Sequence, residues 1–176
     1  MLICVEELKL HPVSVSETYP AGALDYHTEE FRQTGNLNVR GVAELVGGEV
    51  RFRGHLGTRV RSACDRCLGA VELPVECDFD LTYRPMATIA REEELELPPD
   101  ELGVGFYSGP GIEVADVATE QVNLFMPMQV VCGPECRGLC PACGANRNLE
   151  GCGCAEPHVE SPFTALLDKL GERQAE

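Results

Sequence analysis

Residues 71–83, VELPVECDFDLTY, alternate without a break. Val71, Leu73, Val75, Cys77, Phe79, Leu81 and Tyr83 share one parity; Glu72, Pro74, Glu76, Asp78, Asp80 and Thr82 share the other. A strand turns successive side chains to opposite faces, so this pattern makes one apolar and one solvated face. A half-buried strand needs neighbours, and short connections make those neighbours antiparallel. Pro74 cannot donate to a ladder and is expected at an edge or a bulge.

The preceding residues supply the neighbours. NLNVRGVAELV (36–46) reads as a strand, and Gly47-Gly48 offers a two-residue hairpin turn that tolerates positive φ. EVRFRGHL (49–56) sets Val50, Phe52 and Leu56 against Arg51, Arg53 and His55. TRVRSAC (58–64) continues with Val60 and Ser62 against Arg59 and Arg61. Residues 1–35 read as a strand and connecting segments, and 84–110 as an acidic loop, from REEELELPPDE and the glycines after it.

At 113–126 the period becomes helical. Val114, Val117, Ala118, Val122 and Phe125 form one stripe, and Pro127 ends it by disfavouring helical geometry at Met126. Ser161-Pro162 opens a short helix with Phe163, Leu166, Leu167 and Leu170 on one side. The expected fold class is α+β: a mainly antiparallel sheet or partly open barrel, a helix after it, a Cys-rich zinc-binding segment and a C-terminal helix. Residues 1–131 are expected to carry the sheet and its packing helix. Residues 132–176 are expected to carry the Cys-rich segment and closing helix, packed on the same domain.

With 44% hydrophobic residues in 176, no Trp and 6% aromatics, the core must be mostly aliphatic. A net charge of −15 opposes indiscriminate nucleic-acid binding, which rests on neutralising phosphates. MLICVEELKL has acidic Glu6 and Glu7 and no basic start, unlike a signal peptide. No run approaches the ~18 apolar residues of a membrane span. The expected location is the cytoplasm, with neither a membrane nor a small-molecule substrate as partner. Ten cysteines there point to metal binding or redox chemistry more than to disulfides.

Six of the ten crowd into CGPECRGLCPACGANRNLEGCGC: Cys132, Cys136, Cys140, Cys143, Cys152 and Cys154. Structural zinc takes four tetrahedral ligands that arrive in close pairs. CPACG (140–144) has knuckle form, two thiols two apart with a glycine that lets the chain turn. A Gly- and Pro-rich segment cannot build its own core, so one structural zinc ion is the expected organiser. No metal, thiol redox and an iron–sulfur cluster are the alternatives. Cys140 and Cys143 are the firmest ligands; which two of the other four complete the set stays open. No HExxH-like pair points to catalytic zinc, and His158 reads as a surface residue. A second pair, Cys64 and Cys67, reads first as two reduced thiols at a turn, with metal binding, alone or shared with the cluster, as the alternative. Cys4 and Cys77 read as small core residues.

Several segments together resemble the bacterial YceD family of large ribosomal RNA subunit accumulation proteins. SACDRCLGAVELPV is similar to its strand–CxRCL–strand element, and IEVADVATEQVNLFMPMQVVC to its helix with the Glu120-Gln121 pair and Pro127. CRGLCPACGAN, followed by an asparagine and a CxC, resembles its cysteine signature, and SPFTALLDKL its closing helix. The resemblance runs from about residue 36 to 172. Arg147 stands where the family usually has leucine, and Glu113 and Ser161 where it has aspartate. The resemblance implies a non-enzymatic, cytosolic role in accumulating large-subunit ribosomal RNA precursor. Some members lack many of the cysteines, which implies a structural metal.

An RNA role needs a basic face, and the candidates are Arg51, Arg53, Arg59 and Arg61, with Arg40 and Arg66 nearby. Between residues 40 and 66, six arginines meet three acidic residues. If 49–56 and 58–64 pair, these arginines crowd one face, and an anionic partner would relieve them. Cross-strand pairing with Glu72, Glu76 and Asp78 would absorb the same charge. The expected partner is therefore ribosomal RNA precursor or a ribosome-assembly protein. The competing function is a zinc/thiol redox sensor.

Overall fold

The structure, a computed structural model, describes residues 1–86 and 103–154. In chain order the elements are β1 (Leu2–Cys4), α1 (Val5–Leu8), β2 (Val13–Tyr19), β3 (Phe31–Gln33), β4 (Leu37–Val46), β5 (Glu49–Ala63) and β6 (Ala70–Pro85). β7 (Val104–Tyr107), β8 (Gly111–Glu113) and α2 (Val114–Phe125) follow. The class is α+β, with a mainly antiparallel open sheet and a helix after it. The closing helix expected at 161–170 lies outside the described residues, as do His158 and the REEELELPPDE run.

β5 is the spine of a six-stranded sheet ordered β2-β4-β5-β6-β7, with β3 added on β5. The expected strands 49–56 and 58–64 do not pair with each other. They are one strand, because their parity runs on through Gly57, which sits in register between Asn38 and Glu76. The first part of β5 pairs with β4, from Val46↔Glu49 to Asn38↔Gly57. β3 takes the same flank further on, from Gln33↔Val60 to Phe31↔Ser62. β6 covers the other flank from Val50↔Tyr83 to Ala63↔Ala70. Gly47 and Gly48, at φ +62° and +89°, make the β4–β5 hairpin turn.

β7 lies parallel to the end of β6, although its segment reads as loop. Pro74 sits opposite Arg59, where β6 has β5 on one side and no strand on the other among the described residues. That is the edge position its missing N–H requires.

The inward parity of β4, β5 and β6 forms the core, with Val39, Val50, Phe52, Leu56, Val60 and Val75 all at most 1% exposed. Phe52 and Phe79 meet edge to face at 4.9 Å. Gly41 and Gly54, opposite each other in the ladder, make room for them. A Cβ at either would come within 2.8 Å of the Phe52 ring or 2.7 Å of the Phe79 ring.

α2 buries Val114, Val117, Ala118 and Val122. Phe125, expected in the same stripe, is 47% exposed. The chain turns extended at Met126 (ψ 130°), and Met126 packs on the core instead. No helix among the described residues is long and apolar enough to cross a membrane.

Candidate metal centre

Two short turns share one backbone design. Between β5 and β6, the Cys64 N–H donates to Gly69 O and the Leu68 N–H to Cys64 O, both at 2.8 Å. In the Cys-rich segment, the Cys140 N–H donates to Ala145 O and the Gly144 N–H to Cys140 O, again at 2.8 Å. The fifth residue takes positive φ in each, +57° at Leu68 and +74° at Gly144. Cys64–Cys67 is therefore a knuckle of the same kind as Cys140–Cys143.

The ten cysteines are free thiols. Eight of them form two groups: Cys64, Cys67, Cys132 and Cys136, and Cys140, Cys143, Cys152 and Cys154. Within each group all sulfurs lie within 4.8 Å of one another. Cys64 and Cys136 are 3.8 Å apart and Cys67 and Cys132 3.7 Å. Four sulfurs placed tetrahedrally ~2.3 Å from a zinc ion stand about 3.8 Å apart. A disulfide would bring them to ~2.05 Å. Each group has the donor set and spacing to hold one tetrahedral metal ion.

The geometry divides the clustered thiols: Cys152 and Cys154 stand with Cys140 and Cys143, one of the completions the spacing left open, while Cys132 and Cys136 stand with Cys64 and Cys67. The pair read first as bare turn thiols thus has the alternative arrangement, shared with part of the cluster. The spacing CxxxC cannot reveal this, because the partners lie on the far side of α2 in sequence.

The electrostatics of the two groups run parallel. Burial opposes ionisation of Cys64, but the N–H groups of Cys67, Arg66 and Cys132 outweigh it and bring its thiol down to about 6. For Cys140 the N–H groups of Cys143 and Ala142 do the same, again to about 6. The Asn148 side chain, 3.3 Å from Cys136 Sγ, lowers that thiol. The neighbours move the other way. Cys132 is pushed to about 12 by hydrogen bonding to Cys136 and then Cys67, and Cys154 to about 12 by Cys143. Cys152 is raised by Cys140. Once part of a group is thiolate, the remainder resist ionising; a central cation removes that resistance and makes every sulfur a ligand.

The first group also clasps the Cys-rich segment to the sheet. The Asp65 N–H donates to Val130 O at 2.8 Å, and the Val130 N–H to Asp65 Oδ2 at 2.6 Å. The Leu139 N–H donates to Arg66 O at 2.9 Å, and Asn146 Nδ2 to Cys67 O at 3.2 Å. Asn148 reaches both ways, accepting from the Arg137 N–H at 2.8 Å while its Nδ2 meets Cys136. Sequence reasoning took Asn146 and Asn148 only as part of the cysteine signature and assigned no role to Asp65; the signal is an Asn-x-Asn set between cysteine pairs, and an Asp inside a knuckle.

The arginines share the outer face of β5, but most are already engaged. Arg51 makes a two-pronged contact with Asp80, Arg53 pairs with Glu44 at 2.7 Å, and Arg61 with Glu72 at 2.7 Å. His55 meets Asp78 at 2.9 Å. Arg59 makes no ion pair among the described residues. It flanks, with Arg40, His55 and Glu76, an open groove of about 630 Å³.

Residues 52–170 match the family model described as large ribosomal RNA subunit accumulation protein YceD. The chain belongs to the YceD family. The match covers β5 from Phe52 onward, β6, α2 and both thiol groups. Among curated proteins, one from Mycobacterium tuberculosis named only as uncharacterized is 28% identical over 138 residues, covering 77% of this chain and 62% of its own length. One from Mycobacterium leprae, also named as uncharacterized, is 25% identical over 163 residues, covering 90% of this chain and 70% of its own length. The chain thus spans about three fifths of the first of these relatives. No solved structure matches it significantly. Both YceD-like knuckles, CDRCLG and CPACGA, fall inside the matched region.

Proposed function

We propose that this chain is a non-enzymatic cytoplasmic factor that promotes accumulation of large-subunit ribosomal RNA precursor, with zinc holding its Cys-rich segment against the sheet. The observation that carries the role is the family match over residues 52–170, under a description that names accumulation of the large ribosomal RNA subunit. The metal reading is supported by the sulfur spacing and by thiols that face one another. Zinc suits four thiolates in a closed tetrahedron, and a closed site leaves no position for a substrate.

The RNA is reached through an assembly protein. Arg51, Arg53 and Arg61 already have carboxylate partners, and a net charge of −15 repels phosphate at long range. In cells lacking the gene, large-subunit ribosomal RNA precursor should fall relative to the small-subunit precursor, and the intact gene should restore it. An unchanged ratio would contradict the role.

A further inference from the structure

We propose that the chain binds two zinc ions of unequal duty: a slowly exchanging one among Cys64, Cys67, Cys132 and Cys136, and a readily exchanged one among Cys140, Cys143, Cys152 and Cys154. This rests on the metal reading above and adds number, order of release and division of labour.

The two groups differ in what they join. In the first, Cys64 and Cys136 lie 72 residues apart, one in the β5–β6 turn and one in the segment. To let its ion go, this group must open a contact also held by the Asp65–Val130 pair, by Leu139 on Arg66 and by Asn146 on Cys67. In the second, all four thiols lie within residues 140–154, so its sulfurs can part while the Asp65–Val130 pair and Leu139 on Arg66 stay closed.

They differ also in cover. Cys64 and Cys67 are 0% and 6% exposed, Cys136 is half-buried, and Cys132 is the one exposed thiol of this group. In the second group only Cys140 is buried, while Cys143 and Cys154 are exposed. A chelator must reach the ion and displace one sulfur at a time, and exposed sulfurs offer it the first step. Finally, N–H groups brace the first group from outside its own knuckle: Cys132 N–H on Cys64 at 3.4 Å and Asn148 on Cys136 at 3.3 Å. Such supporting bonds commonly change metal affinity by about 10–100-fold.

The test uses the full chain loaded with zinc. Native mass spectrometry should count two ions. Excess chromogenic chelator should then draw zinc out in two phases of equal amplitude, the first about tenfold or more faster. Alkylation with N-ethylmaleimide between the phases, read by peptide mapping, should mark Cys140, Cys143, Cys152 and Cys154 and spare the other group. The double variant C143S/C154S should keep one ion and only the slow phase. A single bound ion, one phase, or early alkylation at Cys64 or Cys67 would overturn the inference and leave the metal reading standing. A chain that takes no zinc would overturn both. The alkylation map comes from the unmutated protein, so misfolding of a variant does not blur the outcome.

Discussion

The sheet and the Cys-rich segment are held by different forces. In the sheet, strand after strand commits one parity to the core, and Val39, Val50, Phe52, Leu56 and Val60 are almost wholly buried. Each such side chain contributes about 1.5–3 kcal/mol when fully removed from water. In residues 130–154 the only buried side chains are Val130 and Cys140. Burial cannot order that segment, so its shape depends on thiols and on hydrogen bonds to the Cys64–Gly69 turn. Loss of metal should therefore loosen one region and spare the other.

The largest effect should come from Cys64→Ser, which removes the best-buried thiol of the group that joins the regions. The segment should lose most of the ~10–16 kcal/mol that structural zinc typically supplies. Limited proteolysis should then cut within residues 130–148 while the sheet fragment persists. Phe52→Ala strikes the other side. It should lower stability by about 3–5 kcal/mol in denaturant unfolding with bound metal unchanged. Metal loss ahead of unfolding in that variant would break the separation.

Asn148→Ala removes the bond on Cys136 and leaves all four ligands. Zinc affinity of that group should drop about 10–100-fold in a competition titration, with the sheet's midpoint unmoved. Smallest should be Arg61→Ser. Its pair with Glu72 lies on an exposed face, and unfolding should shift by less than about 1 kcal/mol.

Local patterns were legible in the sequence and distant pairings were not. β4, β5, β6 and α2 follow from parity and period, because burial of one face is written into consecutive residues. β3, β7 and β8 are three- or four-residue strands whose pairing partners lie elsewhere in the chain, so no alternation announces them. Gln33 shows the same limit. It is buried yet satisfied by Tyr26, by the Tyr19 carbonyl and by Gly35, partners only the folded chain gathers.

The thiols divide similarly. CPACG revealed its knuckle through Gly144. CDRCL hid an equivalent one, because Leu68 adopts the positive φ that usually calls for glycine. Proximity in sequence grouped six cysteines together; the fold carries Cys132 and Cys136 to a turn some 65–72 residues upstream. The arginines show a third case. Their shared face was readable, while Asp80 and Glu44 as partners depended on register.

Hydrogen–deuterium exchange on the zinc-loaded chain, before and after a strong chelator, tests the separation most directly. Protection at Asp65, Leu68, Val130 and Cys132 should fall sharply on metal removal, while Val50–Leu56 and Val75–Phe79 keep theirs. Unchanged protection around Asp65 and Val130, or equal loss throughout β5 and β6, would contradict a segment pinned to an independently stable sheet through one thiol group.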